Sequence, residues 1–383
     1  MPHTTASQTI AATPAGALSF LNERLAAMHP GYFALTMATG IVSIACNLLE
    51  LELAARALLW INLPAYGVLW VALLARIVRH PARILADLAS HQRGPGFFTM
   101  VAGTSVIGVQ LTTLLDNPAL GAVLWWVALA LWGCITCAVF VLLSVKEQKP
   151  SLAEGINGGW LLAVVAPQSV CVLGCVAGPQ RLMDPEIALY VLTSLWLCGG
   201  MLYIWMISLI FYRYMFFKFA PSDLMPPYWI NRGAVAISTL AGAKLAQAGV
   251  NSQLLAPLLP FIKGLALMYW ATATWWIPIL VILGIWRHRV RGFGFKYDPL
   301  YWGLVFPLGM YSVCTLQIAG VLQAPFLVGI AQAFVVAALI AWTLVMSGLA
   351  GRMVYVLVLA ARPPVAATRI TEALTDSKIG GLS

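Results

Sequence analysis

A landmark recurs five times along this sequence and limits the folds that the chain can adopt. An aromatic residue opens an apolar segment, and a small residue or a proline follows seven positions later; the pairs are Phe33/Gly40, Phe98/Ser105, Trp160/Pro167, Trp229/Ala236 and Trp302/Gly309. The aromatic residues lie 65, 62, 69 and 73 positions apart, and each interval is long enough for two membrane-spanning helices. The repeat therefore predicts five helical hairpins of one orientation, arranged as a ring around a pore.

The composition excludes a soluble globular domain, because 61% of the 383 residues are hydrophobic and only 9% are charged. Ten apolar stretches are long enough to cross a bilayer: 31–49, 53–79, 96–115, 119–144, 156–178, 186–213, 228–248, 256–286, 298–320 and 325–360. We predict an all-α membrane protein with a ten-helix domain over 30–361. Residues 1–29 are predicted to form a cytoplasmic tail with an interfacial helix, and residues 362–383 a disordered cytoplasmic tail.

The distribution of positive charge predicts the orientation of the chain. Loops after even-numbered stretches carry twelve Lys and Arg residues, whereas loops after odd-numbered stretches carry only Arg56 and Arg181. The positive-inside rule then places both termini in the cytoplasm, in the inner or plasma membrane of the cell. Residues 1–17 lack the basic and apolar regions of a cleavable signal peptide, so none is expected.

Odd and even stretches differ in composition, which predicts two layers. Twelve of the fifteen tryptophans lie in even stretches, and tryptophan favours the lipid interface. Odd stretches instead carry hydroxyl and amide side chains, which need a neighbouring helix or water as a partner at that depth. We therefore expect an inner ring of odd helices, with a lumen of roughly 2–3 Å radius if neighbouring helices lie about 9 Å apart.

The charged residues within the stretches predict an anionic cargo. Arg232 and Lys244 lie in the seventh stretch and Lys263 in the eighth, while all thirteen acidic residues lie in loops, in tails or near stretch ends. An intramembrane charge usually faces a watery cavity, so Arg232 and Lys244 are predicted to attract a passing anion. The alternative for Arg232 is that its side chain snorkels to the membrane surface.

The same residues bear on mechanism. Odd helices that all begin at the cytoplasmic face surround that mouth with their positive dipole ends, and interruptions at Pro167 and Pro307 would expose further N–H groups. Apart from Glu186 and Asp298, which stand at the first position of their stretches, no Asp, Glu or His lies inside a stretch, and this favours passive movement over proton coupling. The seven cysteines have no nearby histidine, so we expect no metal, no cofactor and no enzyme activity.

Short motifs give the chain a resemblance to a known family. Pro30-Gly31-Tyr32-Phe33, the run Met37-Ala38-Thr39-Gly40-Ile41 with Ser43, Trp302, and Phe306-Pro307-Leu308-Gly309 resemble the tellurite-resistance/dicarboxylate transporter family. That family includes plant slow anion channels and fungal malate and sulfite transporters. The resemblance runs from about 30 to 360.

The resemblance implies ten helices in five hairpins, kinked inner helices, and a homotrimer in which each chain holds its own pore. It also implies a phenylalanine plug, and the matching residue is Phe306. The corresponding positions of the other repeats are Met37, Ala102, Val164 and Gly233, so Phe306 is the bulkiest. The predicted lining is Met37, Gly40, Ser105, Pro167, Ala236, Pro307 and Gly309.

The expected function is a membrane channel or transporter for small anions, with C4-dicarboxylates such as malate as the expected substrates. The alternatives are sulfite or tellurite-related efflux, or a proton-coupled carrier. No nucleic acid is expected as a partner.

Overall fold

The computed structural model describes residues 14–294 and 297–361, which form helices and turns without a strand. Ten long helices, named α1 to α10, follow in order: Ala34–Leu48, Glu52–Arg79, Phe98–Leu114, Pro118–Val145, Leu162–Ala177, Pro185–Phe216, Ile230–Ala248, Leu259–Ile285, Trp302–Leu322 and Val328–Ala361. Residues 29–346 form one compact unit. A second unit holds residues 347–361, Met28 and the helix Pro14–Ala27. This helix falls within residues 1–29, the segment for which an interfacial helix was predicted. The tail 362–383 lies outside the described residues.

Each odd-numbered helix is entered through a short 3₁₀ turn at the aromatic landmark. The turns are Pro30–Phe33, Gly94–Phe97, Gly158–Leu161, Pro226–Trp229 and Pro299–Tyr301. Four of them contain a proline, whose fixed φ and missing N–H suit the first turn of a helix. The landmark therefore marks the start of each odd helix.

The odd helices pack against one another in a closed order. Helix α1 contacts α3, α3 contacts α5, α5 contacts α7, α7 contacts α9, and α9 contacts α1. Helices α1, α3, α5 and α9 bury 67–89% of their apolar segments inside the protein, whereas the even helices bury 17–56%. The even helices therefore carry most of the lipid-facing surface, because they lie outside this group.

Nine helices of the described residues are long and apolar enough to cross a membrane, one fewer than the ten predicted stretches. The exception is α7, which forms a regular helix of 19 residues but carries Asn231, Arg232, Lys244 and Gln247. Sixteen of its residues are buried by protein. Since α7 is surrounded by other helices, it needs less apolar surface than a helix in contact with lipid.

Indole groups of the even helices fasten the odd helices to them. Trp125 on α4 donates to the carbonyl of Val170 on α5 (3.1 Å), and Trp196 on α6 donates to that of Ser238 on α7 (2.9 Å). Two further bonds of this kind join Trp270 to Thr315 and Trp342 to Thr39, both at 3.0 Å. Tryptophan is thus not confined to the lipid interface here, because these four rings point inward and bond to polar groups of the odd helices.

The prolines of two odd helices do not interrupt them, contrary to the sequence-based prediction. Helix α5 continues through Pro167, and α9 continues through Pro307. Each proline removes one helical hydrogen bond, and the surrounding helices hold the remaining turns in place. No half-helix terminus is therefore created at mid-depth by either residue.

Candidate functional site

A cavity of about 290 Å³ lies where the odd helices begin, and we call it the N-terminal cavity. All five odd helices line it, through Met37, Thr99, Leu162, Ile230 and Phe306. Residues of the 3₁₀ turns complete its wall, so the first N–H groups of five helices surround one space. These N–H groups and the aligned helix dipoles give the wall a positive potential.

A second cavity of about 390 Å³ lies between the other halves of the same helices, and we call it the C-terminal cavity. Ile41, Ser105, Ser169, Ile237 and Met310 each represent one odd helix in its wall. Most of the lining is aliphatic, and the polar lining residues are Ser105, Thr113, Ser169, Lys244, Gln247 and Gln317. The two cavities share all five odd helices and therefore one axis.

A thin apolar barrier separates the two cavities. On α9, Phe306 lines the N-terminal cavity and Met310 lines the C-terminal cavity; on α1, Met37 and Ile41 do the same. Four residues of α-helix correspond to about 6 Å along the axis. Phe306, Met37 and Met310 are each only 1% exposed, so bulky side chains fill this level.

Arg93 supplies the positive charge in the wall of the N-terminal cavity, and it stands just before the turn that opens α3. Its Nε donates to Asp87 at 2.7 Å, and Arg76 donates to the other oxygen of the same carboxylate at 2.7 Å. One carboxylate thus holds two guanidinium groups, and the cluster keeps one positive charge. Arg93 lines the cavity, whereas Asp87 does not.

Lys244 supplies the charge of the C-terminal cavity. Its ammonium donates to the side chain of Gln247 at 3.1 Å, and Gln247 donates to Gln317 on α9 at 3.0 Å. Among the described residues that line either cavity there is no Asp or Glu. Both cavities therefore favour an anion over a cation.

The residues predicted to line the lumen, to close it or to attract an anion separate into two groups. Met37, Phe306, Ser105 and Lys244 line one or the other cavity.

The remaining predicted residues line neither cavity. A side chain at Gly40 would meet Val106 and Asn62, and one at Gly309 would meet Ile41 and Val42, so both glycines face neighbouring helices. Pro307 packs on Gly233, Pro167 and Ala236 are buried, and Arg232 contacts the rings of Tyr311 and Phe334.

Comparison with known proteins decides the family. The voltage-dependent anion channel family (SLAC1) matches residues 27–350, which include both cavities and all residues of the barrier. The chain belongs to this family. The resemblance stated from the short motifs is confirmed.

Similar proteins come from several kinds of organism. A sulfite efflux pump of Trichophyton rubrum is 24% identical over 340 residues, covering 83% of this chain and 88% of the pump. An uncharacterized transporter of Methanocaldococcus jannaschii is 22% identical and covers 74% of this chain and 82% of its own length. An uncharacterized membrane protein of Mycobacterium tuberculosis is 34% identical over 143 residues, which is 37% of this chain and 72% of that protein. The first two of these names refer to transport, and the third refers only to a membrane protein.

The sequence did not lead us to predict that Arg93 and His29 line the N-terminal cavity. Arg93 was counted only as a loop charge that reports orientation. Both residues precede an aromatic landmark by four or five positions, and the 3₁₀ turns carry such residues to the cavity wall. Position relative to the landmark was the available signal.

The buried position of His29 predicts that the unfolding free energy of the protein depends on pH. Burial, with a contribution from nearby Arg93, lowers the pKa of His29 from 6.5 to about 4, and its Nδ1 accepts the N–H of Gly31 at 3.0 Å. Because the folded-state pKa lies below the unfolded value, folding favours neutral histidine. This stability is complete above pH 6.5 and is lost as pH falls towards 4.

The expected result is that the wild-type protein loses on the order of 3 kcal/mol more unfolding free energy between pH 7 and 4 than His29→Asn does. Asparagine still accepts the Gly31 N–H but does not titrate. The measurement is chemical unfolding of both purified proteins in detergent at a series of pH values. Parallel pH curves for the two proteins would show that His29 is not the titrating group.

Proposed function

We propose that this protein lets small anions pass along the axis of its five odd helices, through the N-terminal cavity, the barrier and the C-terminal cavity. The observation that supports this proposal is the pair of coaxial cavities, each lined by all five odd helices and each carrying a basic residue without a lining carboxylate. Membership of an anion channel family agrees with it.

Phe306 is proposed as the gate. It is buried between the two cavities, at the level where only one helical turn separates them. Gly233 on α7 leaves room for Phe306 and Pro307, because a side chain there would lie 3.5 Å from the ring of Phe306 and 2.8 Å from Pro307. An apolar plug excludes both water and ions from such a constriction.

Sulfite is the first candidate substrate. The relatives named as sulfite efflux pumps align with most of this chain, whereas no relative among these is named for a C4-dicarboxylate. Each cavity offers one basic lining side chain besides helix N–H groups, which suits a compact oxyanion. Malate, the substrate expected from the sequence, is retained as the comparison.

The direct test is anion flux into proteoliposomes that contain the purified full-length protein. Sulfite, nitrate, chloride and malate are compared at alkaline pH, where sulfite is ionised, with protein-free vesicles as the control. We expect sulfite flux to exceed malate flux and to follow the anion gradient alone. Uptake that requires an imposed proton gradient would instead indicate a coupled carrier, and potassium flux equal to anion flux would contradict the proposed function.

The proposal includes the assembly and the orientation that were predicted from the sequence. We propose a homotrimer with one pathway in each chain and both termini in the cytoplasm, which would make the N-terminal cavity the cytoplasmic vestibule. The supporting observation is that the basic residues Arg76 and Arg93 cluster beside that cavity.

A further inference from the structure

Arg232 is the one charged side chain of the odd helices at the depth of the barrier. The described odd helices carry two charged residues, Arg232 and Lys244, both on α7. On this helix Ile230 lines the N-terminal cavity and Ile237 lines the C-terminal cavity, so Arg232 falls between them. Its neighbour Gly233 packs directly on Phe306 and Pro307.

The guanidinium of Arg232 is turned away from the pathway and is not neutralised by the described residues. It is 1% exposed and lies against the rings of Tyr311 on α9 and Phe334 on α10, at 5.5 and 5.2 Å from their centroids. Its Nε and Nη2 have no hydrogen-bond partner, and no described carboxylate lies within 4 Å. Aromatic faces stabilise a cation without cancelling its charge.

An unpaired buried charge is costly, and a protein retains one where its field is used. The field of a guanidinium in an apolar surrounding is only weakly screened, so it extends to the neighbouring barrier. An anion must shed most of its water there, and a nearby positive charge offsets part of that loss. A residue that lines the lumen at this depth would instead hold the anion and slow its release.

We propose that Arg232 determines charge selectivity at the barrier by acting on the anion through its field, from behind the helix wall, without direct contact. This inference rests on the proposed function and adds its selectivity element. A unit charge acting across about 10 Å at an effective dielectric constant of 20 changes an ion distribution on the order of tenfold. The aromatic pair Tyr311 and Phe334 keeps the guanidinium out of the lumen.

The test uses wild-type protein, Arg232→Met, Arg232→Lys and Lys244→Met in proteoliposomes, with potassium nitrate as the probe. Methionine retains much of the side-chain volume and removes the charge, whereas lysine keeps the charge and loses the planar face. Two quantities are measured: the nitrate-to-potassium permeability ratio, and the dependence of nitrate flux on its concentration. Arg232→Gln is a second neutral variant, used if the methionine variant does not fold.

We expect Arg232→Met to lower the maximal nitrate flux about tenfold, with the half-saturating nitrate concentration unchanged. The permeability ratio should fall about a hundredfold, because the field that attracts nitrate also repels potassium. Arg232→Lys should stay within about twofold of wild type in both quantities, since the field persists. Lys244→Met, which changes a residue that lines the C-terminal cavity, should raise the half-saturating concentration. The thermal midpoint of Arg232→Met should equal or exceed that of wild type, because no ion pair is lost.

Two results would overturn the inference: an unchanged permeability ratio in the neutral variants, or an equal loss in Arg232→Lys. A changed half-saturating concentration in Arg232→Met would show direct contact with the anion and would overturn it as well. A wild-type protein that carries no anion would contradict the proposed function itself, so the two failures are distinguishable.

Discussion

Replacing Phe306 by alanine is expected to raise basal anion flux about a hundredfold, because moving an ion through a dry constriction costs several kcal/mol. The ring of Phe306 is buried where the N-terminal and C-terminal cavities come within one helical turn of each other. Alanine would leave a void beside Gly233, which has no side chain to fill it. Water could then connect the cavities, and the anion would keep part of its hydration.

The measurement is sulfite and nitrate flux in proteoliposomes, with Phe33→Ala as the matched control. Phe33 is also fully buried, but it packs edge-on against Tyr66 and Trp70 and lines neither cavity. The control should lower the thermal midpoint without raising flux. Wild-type flux in a well-folded Phe306→Ala protein would contradict the gate, and an equal rise in Phe33→Ala would indicate general loosening of the bundle.

The helices and their order were predictable because membrane insertion constrains sequence strongly. Long apolar stretches and the aromatic landmark gave ten helical segments and their starting points, and the described structure has long helices at all ten. Helix α7 is the segment whose composition least resembles that of a membrane-spanning helix. Arg232 and Lys244 make it less apolar than a lipid-facing helix. Only packing explains how such a helix is accommodated.

The rotation of each odd helix was not predictable from the landmark. A fixed spacing relates Gly40 to Phe33 and Gly309 to Trp302, but it does not state which face of the helix meets the axis. Gly40 faces Asn62 and Gly309 faces Val42, so both allow close helix packing. Polar side chains behave similarly: Ser43 donates to the carbonyl of Ala55 on α2 rather than lining a cavity. Long-range partners decide these orientations.

The sequence predicted that the site carries positive charge, but it did not predict where each basic side chain lies. Lys244 lines the C-terminal cavity as expected for an anion-attracting residue, whereas Arg232 is held behind the barrier by two aromatic rings. No local pattern distinguishes the two positions, because Tyr311 and Phe334 come from helices far along the chain.

The second large effect is expected at Gly158, in the turn that opens α5. A side chain there would collide with the carbonyl oxygen of Pro227 and lie 2.7 Å from Cα of Tyr228, in the turn that opens α7. Both obstacles are backbone atoms, which cannot rotate away as a side chain can. Gly158→Ala should therefore lower the unfolding free energy by about 3 kcal/mol or more.

The matched control for this prediction is Gly103→Ala on α3, where the new methyl group would lie 3.6 Å or more from its neighbours. Alanine is favoured over glycine inside a helix by about 0.5–1 kcal/mol, so this variant should be as stable as wild type or slightly more stable. Thermal unfolding in detergent compares the two proteins. Equal losses would show that the contact between the two turns is not tight, and the wall of the N-terminal cavity, which includes Gly159 and Pro227, would then be adaptable rather than fixed.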